Sequence, residues 1–308
     1  MEMLYQRDIY GKTLVELGKQ NPDIVVLDAD LSGSTRTSFF AAEFPERFFN
    51  FGVAEQNMMA TAAGLASCGK TVFVSTFAMF ATGRAWDQAR NTVCYNNFNV
   101  KIVATHAGIT AGEDGSSHQA LEDIALMRII PNMKIIVPCD GPQTREAVIA
   151  AVKTPGPFYI RLGRAKFPTV ETKNEFEFGK AQVLKEGSDV TLIACGLMVH
   201  SALEASQILA NEGVSAGVIN LHTLKPFDKE AVTKAAVGTR RLVVCEEHSI
   251  CSGLACCIDE VMSGDCAAKI VRVGIRNIFG QSGSAKELLE EYGLTTQDIV
   301  KAARSLVR

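Results

Sequence analysis

Phe49-Asn50-Phe51-Gly52-Val53-Ala54-Glu55-Gln56-Asn57-Met58 sets a short apolar strand against a glycine, and then opens a helix whose first turn carries a carboxylate. The strand breaks at Gly52, so Glu55 stands at a strand-to-helix junction. The residues that follow, Met58, Met59, Ala62, Ala63, Leu65 and Ala66, are small or apolar nearly all round, which predicts a buried helix rather than a surface one. A carboxylate against such a wall is either a helix-start residue using the macrodipole or an acid whose proton is put to use.

Outward from this junction the chain alternates. Helical spacing over 8–19 ends at Asn21-Pro22, and Ile24-Val25-Val26-Leu27 reads as a fully buried strand. Helices over 37–44, 54–67, 79–95, 121–128 and 143–152 then interleave with strands over 48–51, 71–75, 100–105, 134–137 and 158–162. From Arg164 to Glu177 the pattern lapses into a polar stretch with Pro168, which marks a linker. A second alternation follows, with strands over 190–194, 216–220, 241–245 and 270–273. Its helices run over 198–211, 228–236 and 253–262, and two more close the chain from Ser284. The expected fold class is α/β, two domains each a mostly parallel sheet covered by helices: residues 1–165, a linker over 166–178, and residues 179–308.

The 308 residues, 47% of them hydrophobic, suffice for two cores, and a net charge of -3 leaves no electrostatic footprint for nucleic acid. No apolar run approaches a bilayer span and Met1 to Arg7 holds no apolar signal core, so a soluble cytoplasmic protein is expected. Nine cysteines scattered among apolar segments read as reduced core residues. His248, Cys251, Cys256 and Cys257 lack the paired spacing of a zinc site and read as a thiol-rich helix start packed on a sheet. Gly112 to Ser116 is not followed by the Lys-Ser/Thr of a P-loop, and no Gly-x-Gly-x-x-Gly opens a helix after the first strand.

Chemistry gathers in the loop Thr105 to Gln119. It leaves the carboxyl end of an expected parallel strand, where open α/β sheets bind ligands, and it holds His106, Glu113, Asp114 and His118 among three glycines. Imidazoles and carboxylates so spaced can bind a hydroxylated substrate and move its protons near neutral pH. Phe77 and Phe80, three apart at the start of an expected helix, either plug the core or form a flat wall for a ring.

Glu55 within Gly-Val-Ala-Glu-Gln-Asn-Met, Ser75-Thr-Phe-Ala-Met-Phe80, the segment Ala104 to Gln119 and Asn132-Met-Lys-Ile-Ile-Val-Pro-Cys-Asp140 together resemble the transketolase family, over its pyrimidine-binding and C-terminal domains. The family's Gly-Asp-Gly motif, which holds the cofactor diphosphate and a divalent metal, has no counterpart here, where Asp-Gly occurs only at Asp114-Gly115 and Asp140-Gly141. The resemblance therefore implies the C-terminal subunit of a split enzyme. It would be inactive alone, completed by a separate N-terminal subunit in a heterotetramer with two copies of each chain, with thiamine diphosphate as cofactor and Mg2+ or another divalent metal bound mainly by the partner. By itself the chain is expected to be dimeric or poorly soluble.

Residue by residue, the resemblance puts Glu55 at the ring nitrogen of the thiamine pyrimidine and Phe77 and Phe80 on the aromatic wall, with Gly83 where a third aromatic often stands. Asp30 matches an acid at the cofactor edge, although a turn or cap role is simpler. His106 and His118 match histidines at the sugar, Asp114 a carboxylate that recognises a substrate hydroxyl, and Arg7, Ser34 and Arg164 the site of the acceptor's terminal phosphate. Arg161 is a competing phosphate candidate. The implied reaction is transfer of a two-carbon ketol unit from a ketose phosphate to an aldose. Two other readings stand beside it. One is an enzyme like 1-deoxyxylulose-5-phosphate synthase or the beta subunit of a 2-oxo acid dehydrogenase, which usually lack the Thr-His that here includes His106. The other is a non-catalytic interaction protein on the same fold.

Overall fold

The computed structural model describes residues 2–172, 175–262 and 266–307. Two parallel sheets organise it. The first has seven strands, ordered Thr223–Lys225, Lys134–Ile136, Phe158–Arg161, Val100–Thr105, Thr71–Phe77, Ile24–Asp28 and Phe48–Asn50, all parallel except the first. The second has five, ordered Lys269–Ile275, Arg241–Ser249, Val190–Ala194, Ala216–Asn220 and Gln182–Lys185, with the last antiparallel. The central strands of both are buried on every residue, as a sheet covered on both faces requires. One apolar cluster runs from Met58, Val74 and Ile102 of the first unit through Met127 and Leu224 to Ile193 and Val244 of the second, so the two units share core.

Local signals explain most elements. Asp140 caps the Gly141–Lys153 helix by accepting from the Gln143 N–H at 2.8 Å, with Pro142 in the first turn. Ser284 and Glu287 close a reciprocal capping box on the Ala285–Glu291 helix. Gly52 turns the chain at φ +66, and its N–H donates to Asn50 Oδ1 at 3.0 Å, so the helix Glu55–Ser67 starts with its carboxylate pointing into the fold.

The structure departs from expectation in several places. The Glu55–Ser67 helix is buried on one face only; Gln56, Asn57, Ala60, Gly64 and Ser67 lie exposed, because small and polar residues make an outer face. The expected helix over 79–95 is wound wide, as π-helix at Phe80–Arg84 and Ala89–Cys94 around a short α turn at Trp86–Gln88. Within the expected linker, Lys166–Pro168 pairs antiparallel with Met3–Tyr5 and buries Phe167, while residues 173 and 174 lie outside the described residues. Thr223–Lys225 returns to the edge of the first sheet instead of staying with the second unit. The helix expected over 253–262 ends at Asp259, and the strand before it runs on to Ser249.

Candidate active site

Five strands of the first sheet release the candidate residues at their carboxyl ends. Asp30 follows Ile24–Asp28, Glu55 follows Phe48–Asn50, Phe77 ends Thr71–Phe77, His106 follows Val100–Thr105, and Arg164 follows Phe158–Arg161. A parallel sheet aligns these ends along one edge, where open α/β sheets form their ligand crevice. Ring contacts and charge effects join Phe77, Phe80, His106, Arg7 and Arg164 there, and Arg84 joins Glu55 to Phe80.

Phe77 and Phe80 do not share a helix face, since Phe77 closes a strand and Phe80 opens the wide-wound segment. Their rings are nonetheless nearly parallel, 5.9 Å apart at 18°. The His106 ring stacks on Phe77 at 3.8 Å, and His118 stands edge-on to Phe80 at 5.3 Å. Glu55 is 3% exposed and takes a hydrogen bond from Arg84 Nη1 at 2.9 Å. That guanidinium also lies 4.1 Å from the Phe80 ring centre, and its side chain is half exposed. Arg84 was not among the residues read from sequence; the available signal is a lone cation in an otherwise small, apolar turn. Gly83 leaves open space, with only the Met79 side chain within reach of an added Cβ.

His106 is buried and held at φ +58, a left-handed conformation that disfavours a residue with a Cβ. Three contacts offset that cost. The Ala107 N–H donates to Leu162 O at 3.1 Å, the Gly108 N–H donates to Ala120 O at 3.0 Å, and Thr105 Oγ1 lies 2.9 Å from His106 Nδ1. Burial, then the Arg7, Arg164 and His118 charges, pushes the His106 imidazolium down to about 3, so the ring is neutral at pH 7. Half-buried His118 bonds Ser117 Oγ through Nδ1 at 2.9 Å, and exposed Asp114 ends the Ile109–Asp114 turn.

The cationic end of the crevice is built by Arg7 and Arg164. Arg7 Nη1 donates to Ser34 O at 3.1 Å, so the contact to Ser34 is through its backbone carbonyl. Burial, then Arg36, lowers the Arg7 guanidinium, and Arg164 acts in the same direction. Arg164, 35% exposed, donates to Ala111 O at 2.9 Å and pairs with Glu113. Arg161 is elsewhere: 6% exposed, it bonds Asp123 Oδ2 at 2.8 Å and Glu247 O at 2.9 Å beneath the loop. Arg161 is buried with its Nε and Nη2 committed to buried acceptors, which argues against a phosphate role. Asp30 is exposed at φ +65 and exchanges hydrogen bonds with Asn50, a turn role; the buried acid of that turn is Asp28, bonded by Thr35, Thr37 and the Leu31 N–H. His248 turns its ring toward Glu246 and Asp123, away from the exposed Cys251.

Comparison with known proteins follows the same division of the chain. The family profile described as transketolase, pyrimidine binding domain matches residues 2–169, and that described as transketolase, C-terminal domain matches residues 179–299. A solved structure described as a split gene transketolase, inactive beta4 tetramer, is 51% identical, covers 99% of this chain and 100% of its own, and superposes with a TM-score of 0.91. A Methanocaldococcus jannaschii protein with the provisional name transketolase C-terminal section is 51% identical over 95% of this chain and 93% of its own length. The 6-deoxy-6-sulfo-D-fructose transketolase subunit SqwH of a Clostridium species is 41% identical over 99% of this chain and 95% of its own. With both domains matched in order and relatives of this similarity across nearly its whole length, the chain belongs to the transketolase family and carries that family's pyrimidine-binding and C-terminal domains.

Proposed function

We propose that the chain is the C-terminal subunit of a thiamine diphosphate-dependent transketolase, moving a two-carbon ketol unit from a ketose phosphate to an aldose with a separate N-terminal subunit. The observation that carries this reading is the crevice itself, where a buried carboxylate, two parallel phenyl rings, two histidines and a pair of arginines converge at the carboxyl edge of one sheet. In this reading residues 1–165 form the pyrimidine-binding unit, 166–178 the connector and 179–308 the C-terminal unit.

The crevice suits one half of the cofactor. A flat ring would rest on the Phe77 and Phe80 wall, and Glu55, buried nearby, would donate a hydrogen bond from its carboxyl O–H to a ring nitrogen. In this reading the diphosphate and Mg2+ or another divalent ion are held mainly by the partner subunit; among the described residues no three His, Cys, Asp or Glu side chains group to hold a metal. When bound, the cofactor supplies the electron sink for breaking and making the carbon–carbon bond.

The chain's own residues bind, orient and move protons. Arg84, half exposed, would have to leave Glu55 for that bond to form. Neutral His106 hydrogen-bonds a substrate oxygen and is kept in plane by Phe77, while His118 and Asp114 meet sugar hydroxyls from the other side of the loop. Arg7 and Arg164 hold the terminal phosphate, a dianion that planar guanidinium groups bind in bidentate fashion.

Names of relatives as subunits and as a split-gene protein support a partner, and closed two-fold symmetry favours two copies of each chain. The reading places the enzyme in the cytoplasm; no helix among the described residues is long and apolar enough to cross a membrane. The test is to purify the chain with a diphosphate-binding partner carrying Gly-Asp-Gly and to assay a ketose phosphate donor against pyruvate. Ketol transfer by the mixture and by neither chain alone is expected. Turnover with pyruvate instead would favour the synthase-like reading, and no cofactor binding by the mixture would favour an interaction protein.

A further inference from the structure

Beneath the Thr105 to Gln119 loop lies a buried charged cluster contributed by both units. Glu247, on the Arg241–Ser249 strand of the second unit, is 4% exposed and accepts from the Thr110 N–H at 2.7 Å. Its carboxyl group presses on Gly108: a Cβ built there would come within 2.2 to 2.5 Å of the Glu247 carboxyl atoms. Only a glycine, here at φ +82, lets the Glu247 carboxyl group lie against this backbone. Gly108 is two residues from His106, and the bonds that fix His106 in its left-handed conformation run through Ala107 and Gly108.

We propose that Glu247 is the residue through which the C-terminal unit positions the substrate loop, its carboxylate holding the Gly108 to Thr110 turn and through it the His106 ring. The role of this loop in handling substrate rests on the transketolase reading given above; the coupling of Glu247 to His106 does not. Glu247 is a positioning residue, since it touches the loop and not the crevice.

The charged groups around Glu247 set how it behaves. From the Phe158–Arg161 strand, Arg161 Nη1 lies 3.8 Å from Glu247 Oε2, and Arg161 Nη2 donates to the Glu247 carbonyl. From the Asp123–Arg128 helix, Asp123 binds the other side of Arg161 and opposes the Glu247 charge. On the same strand Glu246 turns away to the Leu254 and Ala255 N–H groups, with His248 between Glu246 and Asp123. Burial outweighs the Arg161 attraction and pushes the Glu247 carboxyl up to about 7. Near neutral pH the group therefore passes between a carboxylate that grips the Thr110 N–H and attracts Arg161, and a neutral acid that does both more weakly.

His106 gives a direct reporter, because its own protonation lies near 3 and cannot produce a change at neutral pH. In the full chain labelled at histidine ring carbons and glutamate carboxyls, NMR between pH 5.5 and 8.5 should show one glutamate carboxyl titrating near 7. The His106 ring signals should move in step with it. In Glu247→Gln the His106 step that coincides with the glutamate titration should vanish. A His106 signal that is flat in the wild type, or whose step survives Glu247→Gln, overturns the proposal. Should Glu247→Gln fail to fold, the wild-type coincidence of the two titrations decides alone. In the reconstituted enzyme Glu247→Gln should lower kcat by about tenfold or more, with KM changed less, as a misplaced group costs. It should also erase the kcat step near pH 7. Lower kcat with an unchanged pH profile would reduce Glu247 to a packing role and overturn the proposal. Absence of transfer by the wild-type mixture would refute the transketolase reading and leave the His106 titration to decide the coupling.

Discussion

Replacing Arg161 with alanine is the sharpest test of the buried charge pair beneath the loop, a pair of the first unit that also touches Glu247 of the second. The guanidinium makes an ion pair to Asp123 at 2.8 Å and bonds to the Glu247 carbonyl at 2.9 Å and the Ala120 carbonyl at 3.3 Å. Asp123 is fully buried; without Arg161 its Oδ2 keeps only the Tyr159 hydroxyl at 2.6 Å, and its Oδ1 has His248 no closer than 4.0 Å. Breaking a buried pair by removing one partner costs roughly 3–5 kcal/mol, because a desolvated charge is left behind. That is a large fraction of the ~5–15 kcal/mol by which native domains are stable. Arg164→Ala, three positions on but 35% exposed, should cost no more than about 1 kcal/mol. Urea unfolding of the two variants and the wild type at pH 7.5 measures the difference. Burial opposes ionisation of Asp123, but Arg161, foremost among the opposing influences, holds the carboxyl below its ordinary value. A depressed acid stabilises the fold above its unfolded pKa and loses that stability as pH falls, so the gap between Arg161→Ala and wild type should shrink below about pH 4. If Arg161→Ala unfolds within about 1 kcal/mol of Arg164→Ala at pH 7.5, the buried pair does not stabilise the fold as argued.

Further outcomes follow from the crevice and the core. Glu55→Ala should abolish transfer in the reconstituted enzyme while the circular dichroism spectrum and melting behaviour stay near wild type, since it removes the carboxyl at the ring site and little packing; wild-type turnover at saturating cofactor would refute the assignment. Arg164→Ala should raise KM for phosphorylated substrates more than for unphosphorylated ones, whereas His106→Ala, removing a neutral ring, should lower kcat on both; steady-state kinetics with paired substrates separates the two. Lys101 is buried, donates to Thr154 O and Gly156 O, and is pushed by burial and then Lys134 down to about 7. Between pH 7 and about 10 the unfolded chain holds that proton and the folded chain does not, so stability gains on the order of 1 kcal/mol per pH unit in this window. Lys101→Met should remove that gain, as denaturation at pH 7 and pH 9 will show.

The alternation of apolar strands and helices, the break at Gly52 and the capping residues were legible in the sequence because each is a local signal, read within a few residues. The placing of Glu55 at a helix start and of His106 and His118 in a Gly-rich loop is read the same way, and a parallel sheet brings strand ends together whatever the details. Tertiary structure decided what depends on distance in space. Arg161 and Arg164 look alike in the chain, yet a strand residue faces the buried Asp123 and the residue just past the strand faces the crevice. Arg84 meets Glu55 across 29 positions, and Thr223–Lys225 leaves its own unit for the edge of the other sheet. Glu247 reaches Thr110 across 137 positions of chain. Charge pairing and desolvation follow from which groups share a buried volume, and no periodicity in the sequence records that.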